Sequence, residues 1–322
     1  QGHADIRYVK VDNQENLIVS GRFYDEPLHI EDTILINHGS LDIFLAKFNP
    51  EGALIWAQSF GGTNQDFVMG MCTDEINNIY ITGGFHSNSF YLGSNYFTNA
   101  TDHRAAVIIQ LSPDGEITWT EKHDEGYDQQ FMAISVDSAQ NIYTGGYFKG
   151  TFSFGAQSIN NGAGHFDVFL AKYNADHQHQ WIKKISSAAY ERTDNIALDN
   201  NGNVYIELVT FGSLQFENTT LGHLGERDLA IGKYNPDGEL IWAFNGGGIY
   251  NDRSFGMAVG PFSNLYFTGY YKSPDFNIGQ LQLTKNDTTE KDAYIVSIGP
   301  DCILPNPSFT YEADGMSVQF TA

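Results

Sequence analysis

Short apolar and β-branched runs alternate along the chain with turns rich in Gly, Asn, Asp and Pro. The runs at residues 42–48 (DIFLAKF) and 78–83 (NIYITG) have the length and composition of β-strands, and no helical period lies between such runs. Turn residues between two strand-like runs are typical of antiparallel hairpins. The pattern therefore predicts an all-β protein.

The tryptophans reveal an internal repeat. They are separated by 63, 62 and 61 residues, at Trp56, Trp119, Trp181 and Trp242. A second marker has the same period, because an asparagine opens a strand-like run in each unit, at Asn16, Asn78, Asn141, Asn203 and Asn264. A fixed period of this kind is the signature of a repeat architecture. We predict five copies of one unit of about 62 residues.

Each copy has the same order of four strands, which we call A to D. Strand A is an apolar run that ends in Asp, as at residues 67–74, and strand B follows a short turn containing Asn or Gly. About twenty Gly-, Ser- and Asn-rich residues then separate strand B from strand C. A Pro-Asp-Gly or Pro-Glu-Gly turn, which favours a tight reversal, leads into strand D with its tryptophan.

Four short antiparallel strands repeated five times favour a β-propeller over a sandwich or a solenoid. We expect about five four-stranded blades, with each tryptophan packed against the neighbouring blade. The propeller is predicted at residues 1–303, with units at about 4–60, 65–122, 127–185, 190–246 and 251–300. The fifth unit has no evident Trp-bearing strand D, so ring closure needs a strand from a terminus or from sequence outside this chain.

Two segments carry a resemblance to a known repeat family. Residues 199–205 (DNNGNVY) and, after Asp228, residues 233–242 (KYNPDGELIW) resemble the bacterial β-propeller repeats called SBBP repeats, and the resemblance covers about residues 4–300. It implies a non-catalytic module of a large secreted or cell-surface protein. Residues 304–322 break the repeat and resemble a linker with the opening strands of a PKD-type immunoglobulin-like module.

The charge balance excludes one class of partner. The chain has 17 Lys and Arg against 39 Asp and Glu, a formal charge of −22, so it lacks the basic footprint that nucleic acids require. No apolar run reaches the roughly 18 residues of a membrane helix, so we predict no membrane span. Two cysteines, Cys72 and Cys302, are too few for a disulfide framework.

The D-to-A connections and the B-to-C insertions are expected on one face of the propeller, where ligands of this fold usually bind. Aromatic rings next to carboxylates, amides and arginines suit sugars, which stack a pyranose face on a ring and pair their hydroxyls with polar groups. The alternative is that Asp and Asn only cap turns there. The candidate ligand-binding residues are Asn64, Asp66, Tyr127, Asp128, Tyr190, Glu191, Arg192, Tyr250, Asp252 and Arg253.

Catalytic residues are not predicted. A glycosidase needs two carboxylates in different environments, whereas the acids of the connections recur from unit to unit and therefore resemble scaffold. Glu207 breaks the repeat, since it stands where the second and fifth units have Thr82 and Thr268, but one unusual carboxylate is weak support for catalysis.

Metal and cofactor signals are weak as well. His177 and His179 have the spacing of two residues on one face of a strand, but no third ligand is close in sequence, so no metal site is predicted there. The acidic A-to-B turns, such as residues 12–16 (DNQEN), favour hairpin chemistry and leave calcium as an alternative. No cofactor is predicted.

These features together predict a non-catalytic, secreted or cell-surface module that binds a glycan or a protein partner in adhesion. One alternative is a structural domain of a surface appendage, which would contact sister domains or copies of itself. A second alternative is a carbohydrate-active enzyme.

Overall fold

The computed structural model of the chain describes residues 3–92, 95–99, 103–124, 128–162, 164–187, 189–279, 281–285, 289–299, 310–314 and 317–321. Strands account for 64% of the structure, and the described residues contain no helix. The expectation of an all-β protein with repeated antiparallel sheets is confirmed.

Repeats one to four contain strands A to D in the predicted order, repeat five contains strands A to C, and a short hairpin lies between strands B and C of each repeat. The first repeat consists of β1 (His3–Val11), β2 (Leu17–Tyr24), β3 (Leu28–Ile30), β4 (Thr33–Leu35), β5 (Asp42–Phe48) and β6 (Leu54–Gly62). The second consists of β7 (Asp66–Thr73), β8 (Ile79–Phe85), β9 (Ser89–Leu92), β10 (Asn95–Thr98), β11 (Ala105–Leu111) and β12 (Ile117–His123).

The later repeats follow the same order. The third consists of β13 (Gln129–Val136), β14 (Ile142–Phe148), β15 (Thr151–Phe154), β16 (Gln157–Asn160), β17 (Asp167–Tyr173) and β18 (His179–Ser187). The fourth consists of β19 (Arg192–Leu198), β20 (Val204–Thr210), β21 (Leu214–Phe216), β22 (Thr219–Leu221), β23 (Asp228–Tyr234) and β24 (Leu240–Gly247). The fifth consists of β25 (Arg253–Val259), β26 (Leu265–Tyr271), β27 (Asp275–Ile278), β28 (Leu281–Thr284) and β29 (Asp292–Ile298).

The chain divides into two compact units. The first comprises Gln1–Gly162 and Tyr173–His179, and the second comprises Ala163–Lys172 and Gln180–Ala322. In the first unit, the A, B, C and D strands of repeats one and two pair antiparallel in that order. In the second unit, repeat four pairs in the same way and repeat five pairs through strands A, B and C.

The B-to-C insertions form hairpins, and those of the second, fourth and fifth repeats pair with the strand D of the repeat before them. In the first unit β9 pairs with β6, where Phe60 lies opposite Leu92. In the second unit β21 pairs with β18 and β27 pairs with β24. An unpaired strand edge would invite aggregation, so each of these three hairpins protects the edge of the preceding sheet.

The A-to-B turns explain the asparagine marker of the sequence. Asp74 Oδ1 accepts hydrogen bonds from the N–H groups of Ile76 at 3.0 Å and Asn78 at 2.8 Å, and Asp74 Oδ2 accepts one from Asn78 Nδ2 at 2.8 Å. The residue before the asparagine has a positive φ in all five turns, at Glu15, Asn77, Gln140, Gly202 and Ser263. These residues therefore shape the turn, as hairpin chemistry requires.

A β-bulge interrupts strand A at the same place in every repeat. The register shifts between Ile6 and Tyr8, Val68 and Gly70, Phe131 and Ala133, Thr193 and Asn195, and Ser254 and Gly256. A bulge adds twist and reverses which side chains face inward beyond it. It also fixes which residues of the repeats are equivalent.

The apolar core lies between successive sheets. In the first unit it contains fully buried Phe60, Phe85 and Phe90, and in the second unit it contains Leu229 and Phe276. The tryptophans extend this packing from one repeat to the next, as predicted. Within the first unit Trp56 Nε1 donates a hydrogen bond to Pro113 O at 3.1 Å, and within the second Trp181 Nε1 donates one to Pro236 O at 3.0 Å.

The last segments form a separate hairpin. β30 (Thr310–Asp314) pairs antiparallel with β31 (Ser317–Thr321). The predicted linker at residues 304–309 lies outside the described residues, as does Cys302.

Candidate functional site

Two of the predicted site residues, Asp66 and Asp252, hold the connections between repeats. Asp66 Oδ2 accepts hydrogen bonds from the Gly62 N–H at 2.7 Å and from Ser87 Oγ at 2.8 Å. Asp252 Oδ2 accepts one from Ser273 Oγ at 2.7 Å. Both side chains are buried, so their carboxylates support the loops and do not face solvent.

The bulge in strand A corrects the alignment of the connections. Counted from the bulge, Asp66 is equivalent to Gln129, Glu191 and Asp252, and Asp128 lies one residue earlier. Asp128 is therefore not equivalent to Asp66, Glu191 and Asp252, although acids recur at a similar spacing along the sequence. Glu191 is buried, whereas the buried side chain at the equivalent position of the third repeat is the amide of Gln129.

Each buried acid of the connections interacts with a second acid at the start of strand C. In the first unit, burial raises the pKa of Asp42 to about 7 and the charge of Asp66 adds to the rise, while burial raises the pKa of Asp66 to about 6. Asp42 also packs tightly, since a Cβ added at Gly61 would lie 2.1 Å from Asp42 Oδ1.

The same pairing occurs in the second unit. Burial raises the pKa of Asp228 to about 7, with a further contribution from Asp252. Burial raises the pKa of Glu191 to about 7, with a further contribution from Asp167. The exception is the pair formed by Ala105 and Gln129, which are the equivalents of the two acids where the second and third repeats meet. If the repulsion between the two buried acids destabilises the fold, we expect both acids to be replaced together.

Asn64 lines an open polar cavity of the first unit. The cavity has a volume of about 530 Å³ and is lined by Ser40, Asn64, Gln65, His86 and Asn88. The D-to-A connection and the start of the B-to-C insertion build it together, because Asn64 N–H donates to Ser87 Oγ at 2.9 Å and Asn64 Nδ2 donates to His86 O at 3.1 Å. Except for His86, the lining residues are exposed.

Arg104 supports the cavity from behind. Its Nε donates a hydrogen bond to His86 Nε2, and its Nη1 donates to Gln130 Oε1 and to the Tyr147 hydroxyl. Burial and the charge of Arg104 lower the pKa of His86 and keep the imidazole neutral. The backbone N–H of Arg104 lies 3.5 Å from Asp128 Oδ1, so this predicted site residue borders the same group.

Tyr190 belongs to a half-exposed aromatic patch of the second unit. Its ring lies edge-on to Phe166 at 5.6 Å and to Phe211 at 6.4 Å, and the residue is 44% exposed. The Arg227 guanidinium lies 4.9 Å from the centre of the Phe211 ring. Tyr250 has a cationic neighbour of its own, because Lys272 Nζ lies 5.6 Å from its ring centre.

Arg192 and Arg253 both approach Asp194, an acid that the sequence analysis did not single out. Arg192 Nε lies 2.8 Å from Asp194 Oδ1, and Arg253 Nη2 lies 3.8 Å from Asp194 Oδ2. Glu207 is close to this group, and its carboxylate accepts a hydrogen bond from Asn195 Nδ2. Burial raises the pKa of Glu207 to about 7, and the charge of Asp194 adds to the rise.

Among the described residues one group has the composition of a metal site. Glu121, His123 and His179 place their ligand atoms within 4.8 Å of one another in the first unit. The acidic A-to-B turns, which left calcium as an alternative, use their carboxylates differently. Asp12 Oδ2 lies 2.9 Å from Lys47 Nζ, and Asp199 Oδ2 lies 3.3 Å from Lys233 Nζ, so a lysine neutralises each of these acids.

Two further predictions of the sequence analysis concern Tyr127 and a membrane span. Tyr127 is not among the described residues. Within the part of the chain that is described, no helix is long and apolar enough to cross a membrane.

Comparison with known proteins gives one relative by sequence. No family model matches the chain. The chain is 26% identical, over 343 aligned residues, to an uncharacterized WD repeat-containing protein of Acanthamoeba polyphaga mimivirus. This chain is similar to a WD-repeat protein. The match covers 83% of this chain and 24% of the relative, so the chain spans about a quarter of that protein's length. The relative and the repeated antiparallel sheets agree with a β-propeller-like repeat fold.

Solved structures show more distant likenesses. A protein of unknown function from Dyadobacter fermentans is 11% identical with a TM-score of 0.44, and the match covers 92% of this chain and 83% of that one. A duf4221 family member from Bacteroides vulgatus is 11% identical with a TM-score of 0.33, and the match covers 83% of this chain and 92% of that one. Likenesses at this level support no statement about function.

Proposed function

We propose that the chain is a non-catalytic binding module of a larger secreted or cell-surface protein, and that it binds glycans in adhesion. The observation that carries the proposal is the polar cavity of about 530 Å³ lined by Ser40, Asn64, Gln65, His86 and Asn88. Its volume lies in the range of small-ligand sites, roughly 300–1,000 Å³.

The lining of this cavity matches the chemistry of sugars. The amides of Asn64, Gln65 and Asn88 each offer a carbonyl oxygen and an NH₂ group, so they pair with hydroxyls that both donate and accept. His86 supplies a ring edge, and burial together with the charge of Arg104 lowers the pKa of its imidazole. None of the described residues that line the cavity is an acid, so a neutral glycan fits better than a cationic peptide.

The aromatic patch of the second unit supports the same class of ligand. A pyranose buries its apolar face against a ring such as Tyr190, and the Arg227 guanidinium beside Phe211 offers donors to its hydroxyls. Rings and amides at the inter-repeat connections are the combination that the sequence predicted.

The absence of catalysis is part of the proposal. Glu207 has the raised pKa of a general acid, but its side chain is fully buried, so no substrate reaches it in this conformation. The acids of the connections are buried in pairs that recur between repeats, which is the behaviour of scaffold residues.

We further propose that the fold is an SBBP-type propeller of about five blades followed by a PKD-like module. Five A-to-B hairpins with the same bulge support the blade number. The hairpin of β30 and β31 is compatible with the opening of a PKD-like module.

A glycan array tests the binding proposal. The protein is applied with and without calcium, beside the double variant Asn64→Ala with Asn88→Ala. The matched control is Asn13→Ala with Asn200→Ala, two exposed asparagines of the A-to-B turns. We expect selective glycan binding that the cavity variant loses and the control retains. Absence of binding, or equal binding by all three proteins, would contradict the proposal.

A structural role in assembly is the second candidate, and one observation favours it. An apolar groove of about 480 Å³ on the first repeat is lined in part by Leu28, Ile30, Phe44 and Gly52. At the equivalent turns Gly115 and Gly238 lie against the rings of Trp56 and Trp181, whereas a Cβ at Gly52 would meet nothing within 4 Å among the described residues. The groove therefore fits a Trp-bearing strand D from another repeat.

Light scattering distinguishes this second candidate. If a second copy supplies the strand, the protein is an oligomer and Leu28→Asp makes it monomeric. A monomeric wild-type protein would exclude this mode of self-assembly.

A further inference from the structure

Three positions change residue type together where the second repeat meets the third. These positions carry Glu121, His123 and His179. The equivalent residues of the other repeats are found by counting from the tryptophan of strand D. At the position of Glu121 the other repeats have Gln58, Lys183 and Phe244. At the position of His123 they have Phe60, Ile185 and Gly246. At the position of His179 they have Leu54, Ile117 and Leu240. None of the other three tryptophan-bearing repeats has a histidine or a carboxylate at any of these positions, so the scaffold does not require them.

The three side chains converge in space. Glu121 and His123 alternate along β12 and so lie on the same face of the strand, two residues after and four residues after Trp119. His179 Nε2 lies 2.9 Å from Glu121 Oε1, and His123 Nε2 lies 3.0 Å from the same oxygen. The three ligand atoms all lie within 4.8 Å of one another.

The buried nitrogen of His123 points to a ligand that the protein itself does not supply. The His123 side chain is only 8% exposed, and its Nε2 makes no well-aligned hydrogen bond with any described residue despite its closeness to Glu121. A buried polar atom without such a bond is costly unless a bound species satisfies it. A cation between the nitrogen and the carboxylate oxygen would satisfy it.

The rings are held in place by aromatic packing. His123 stacks on Phe152 with ring centres 4.5 Å apart, and His179 lies edge-on to Phe154 at 4.4 Å. Tyr173 closes the group at 5.0 Å from the His179 ring. This packing fixes the imidazoles before any ion binds, which is the preorganisation that a metal site requires.

The geometry points to a transition-metal site at Glu121, His123 and His179, and we propose Zn²⁺ as the ion that it takes. Two imidazole nitrogens and one carboxylate oxygen form a donor set that Zn²⁺ prefers, whereas Ca²⁺ and Mg²⁺ prefer oxygen ligands alone. Ligand atoms about 2.0–2.1 Å from a tetrahedral ion stand roughly 3.3 Å apart. The present separations from Glu121 Oε1 therefore need to open by only a few tenths of an ångström.

The site acts as a clamp between two repeats. Glu121 and His123 belong to strand D of the second repeat, whereas His179 begins strand D of the third. An ion bound by all three joins these strands, and a fourth coordination position remains for water or for a donor from a partner.

Zinc titration of the metal-free protein tests the proposal. The protein is stripped with a chelator and titrated with Zn²⁺ against a chromophoric competitor, and its melting temperature is recorded with and without one equivalent. The variants His123→Phe and His179→Leu carry residues that other repeats have at these positions, so they preserve the packing. His177→Gly is the matched control, because His177 stacks on Trp119 at 4.3 Å and is not a ligand.

We expect the wild-type protein and His177→Gly to bind one equivalent of Zn²⁺ and to melt at a higher temperature with the ion. Each ligand variant is expected to bind at least about 100-fold more weakly while its metal-free melting temperature stays close to that of the wild type. The addition of Co²⁺ should give the visible absorption of a low-coordinate site in the wild type only. The proposal is wrong if the ligand variants bind Zn²⁺ as tightly as the wild type, or if the wild type binds none.

Discussion

The first unit contains two junctions between repeats at which equivalent positions carry different side chains. At the first junction the Trp56 ring covers Gly115, Gln58 Nε2 donates to Gly115 O at 2.8 Å, and Phe60 is fully buried. At the second junction the Trp119 ring stacks on His177, and Glu121 and His123 take the positions of Gln58 and Phe60.

The difference between these junctions separates what the fold requires from what it only permits. The tryptophan and the turn that it covers are common to both, so they belong to the scaffold. The histidines and the glutamate occur at one junction alone, so they are additions to a scaffold that packs without them. Chemistry in a repeat protein is therefore to be sought where equivalent positions differ.

The largest expected effect is the loss of Phe60 from the first junction. Phe60→Ala removes a fully buried ring and is expected to lower the free energy of unfolding by about 3–5 kcal/mol, with or without zinc. Urea denaturation in chelator and in zinc measures it. Ile55→Ala, which changes a half-exposed residue of the same strand, should cost far less. A zinc-dependent loss at Phe60 would show that the first junction is not purely apolar.

Transplanting the ligands tests whether the backbone of the two junctions is equivalent. Gln58→Glu, Phe60→His and Ile117→His place the second junction's side chains at the first. The triple variant should bind a second equivalent of Zn²⁺, and at a free zinc concentration 100 times the Kd this adds about 2.7 kcal/mol to its stability. The variant that retains Gln58 is the control and should bind more weakly. A stoichiometry of one in the triple variant would mean that the junctions differ in backbone.

A smaller effect on stability is expected from the pairs of buried acids, which the connection between the second and third repeats does not have. Asp42 and Asp66 have folded-state pKa values of about 7 and about 6, well above the usual value of 3.8. Between about pH 4 and pH 7 the folded protein therefore binds more protons than the unfolded chain. The contribution of these protonated acids to stability is fully present below about pH 4 and is lost as the pH rises through 7.

Asp42→Asn tests this prediction by removing the charge while keeping the shape. It should reduce the loss of stability between pH 5 and pH 8 by an amount on the order of 1 kcal/mol, as measured by urea denaturation at each pH. Asp32→Asn, an exposed acid of the first repeat, is the control and should not change the slope. An unchanged slope in Asp42→Asn would mean that the pair is not protonated.

Much of the fold could be predicted because the same sequence pattern recurs in several repeats. The order of strands A to D and the packing of Trp56 follow from markers that recur at one period. The B-to-C hairpins could not be predicted, since strands of three or four residues are too short for a reliable pattern, and β9 gains a pairing from the strand D of the preceding repeat. The bulge in strand A is also silent in the sequence. It lies at the same distance from the marker asparagine in every repeat, and counting from that asparagine places Asp128 one residue before the position of Asp66.

The candidate site was partly foreseen for the same reason. Asn64 was found because the connections were compared in register, whereas His86 and Asn88 lie in the insertions, which vary in sequence. His179 was considered with His177, which is its neighbour in the turn. Its true companions, Glu121 and His123, lie more than fifty residues earlier, and only the packing of one strand D against the next repeat brings them together.

X-ray absorption at the zinc edge tests the central claim most directly. On the protein loaded with one equivalent of Zn²⁺, we predict nitrogen and oxygen ligands at about 2.0–2.1 Å and the outer-shell scattering of two imidazoles, reduced to one in His179→Leu. A spectrum without imidazole scattering, or one that is the same in His179→Leu, would contradict the claim that the second junction differs from the first because it holds a metal.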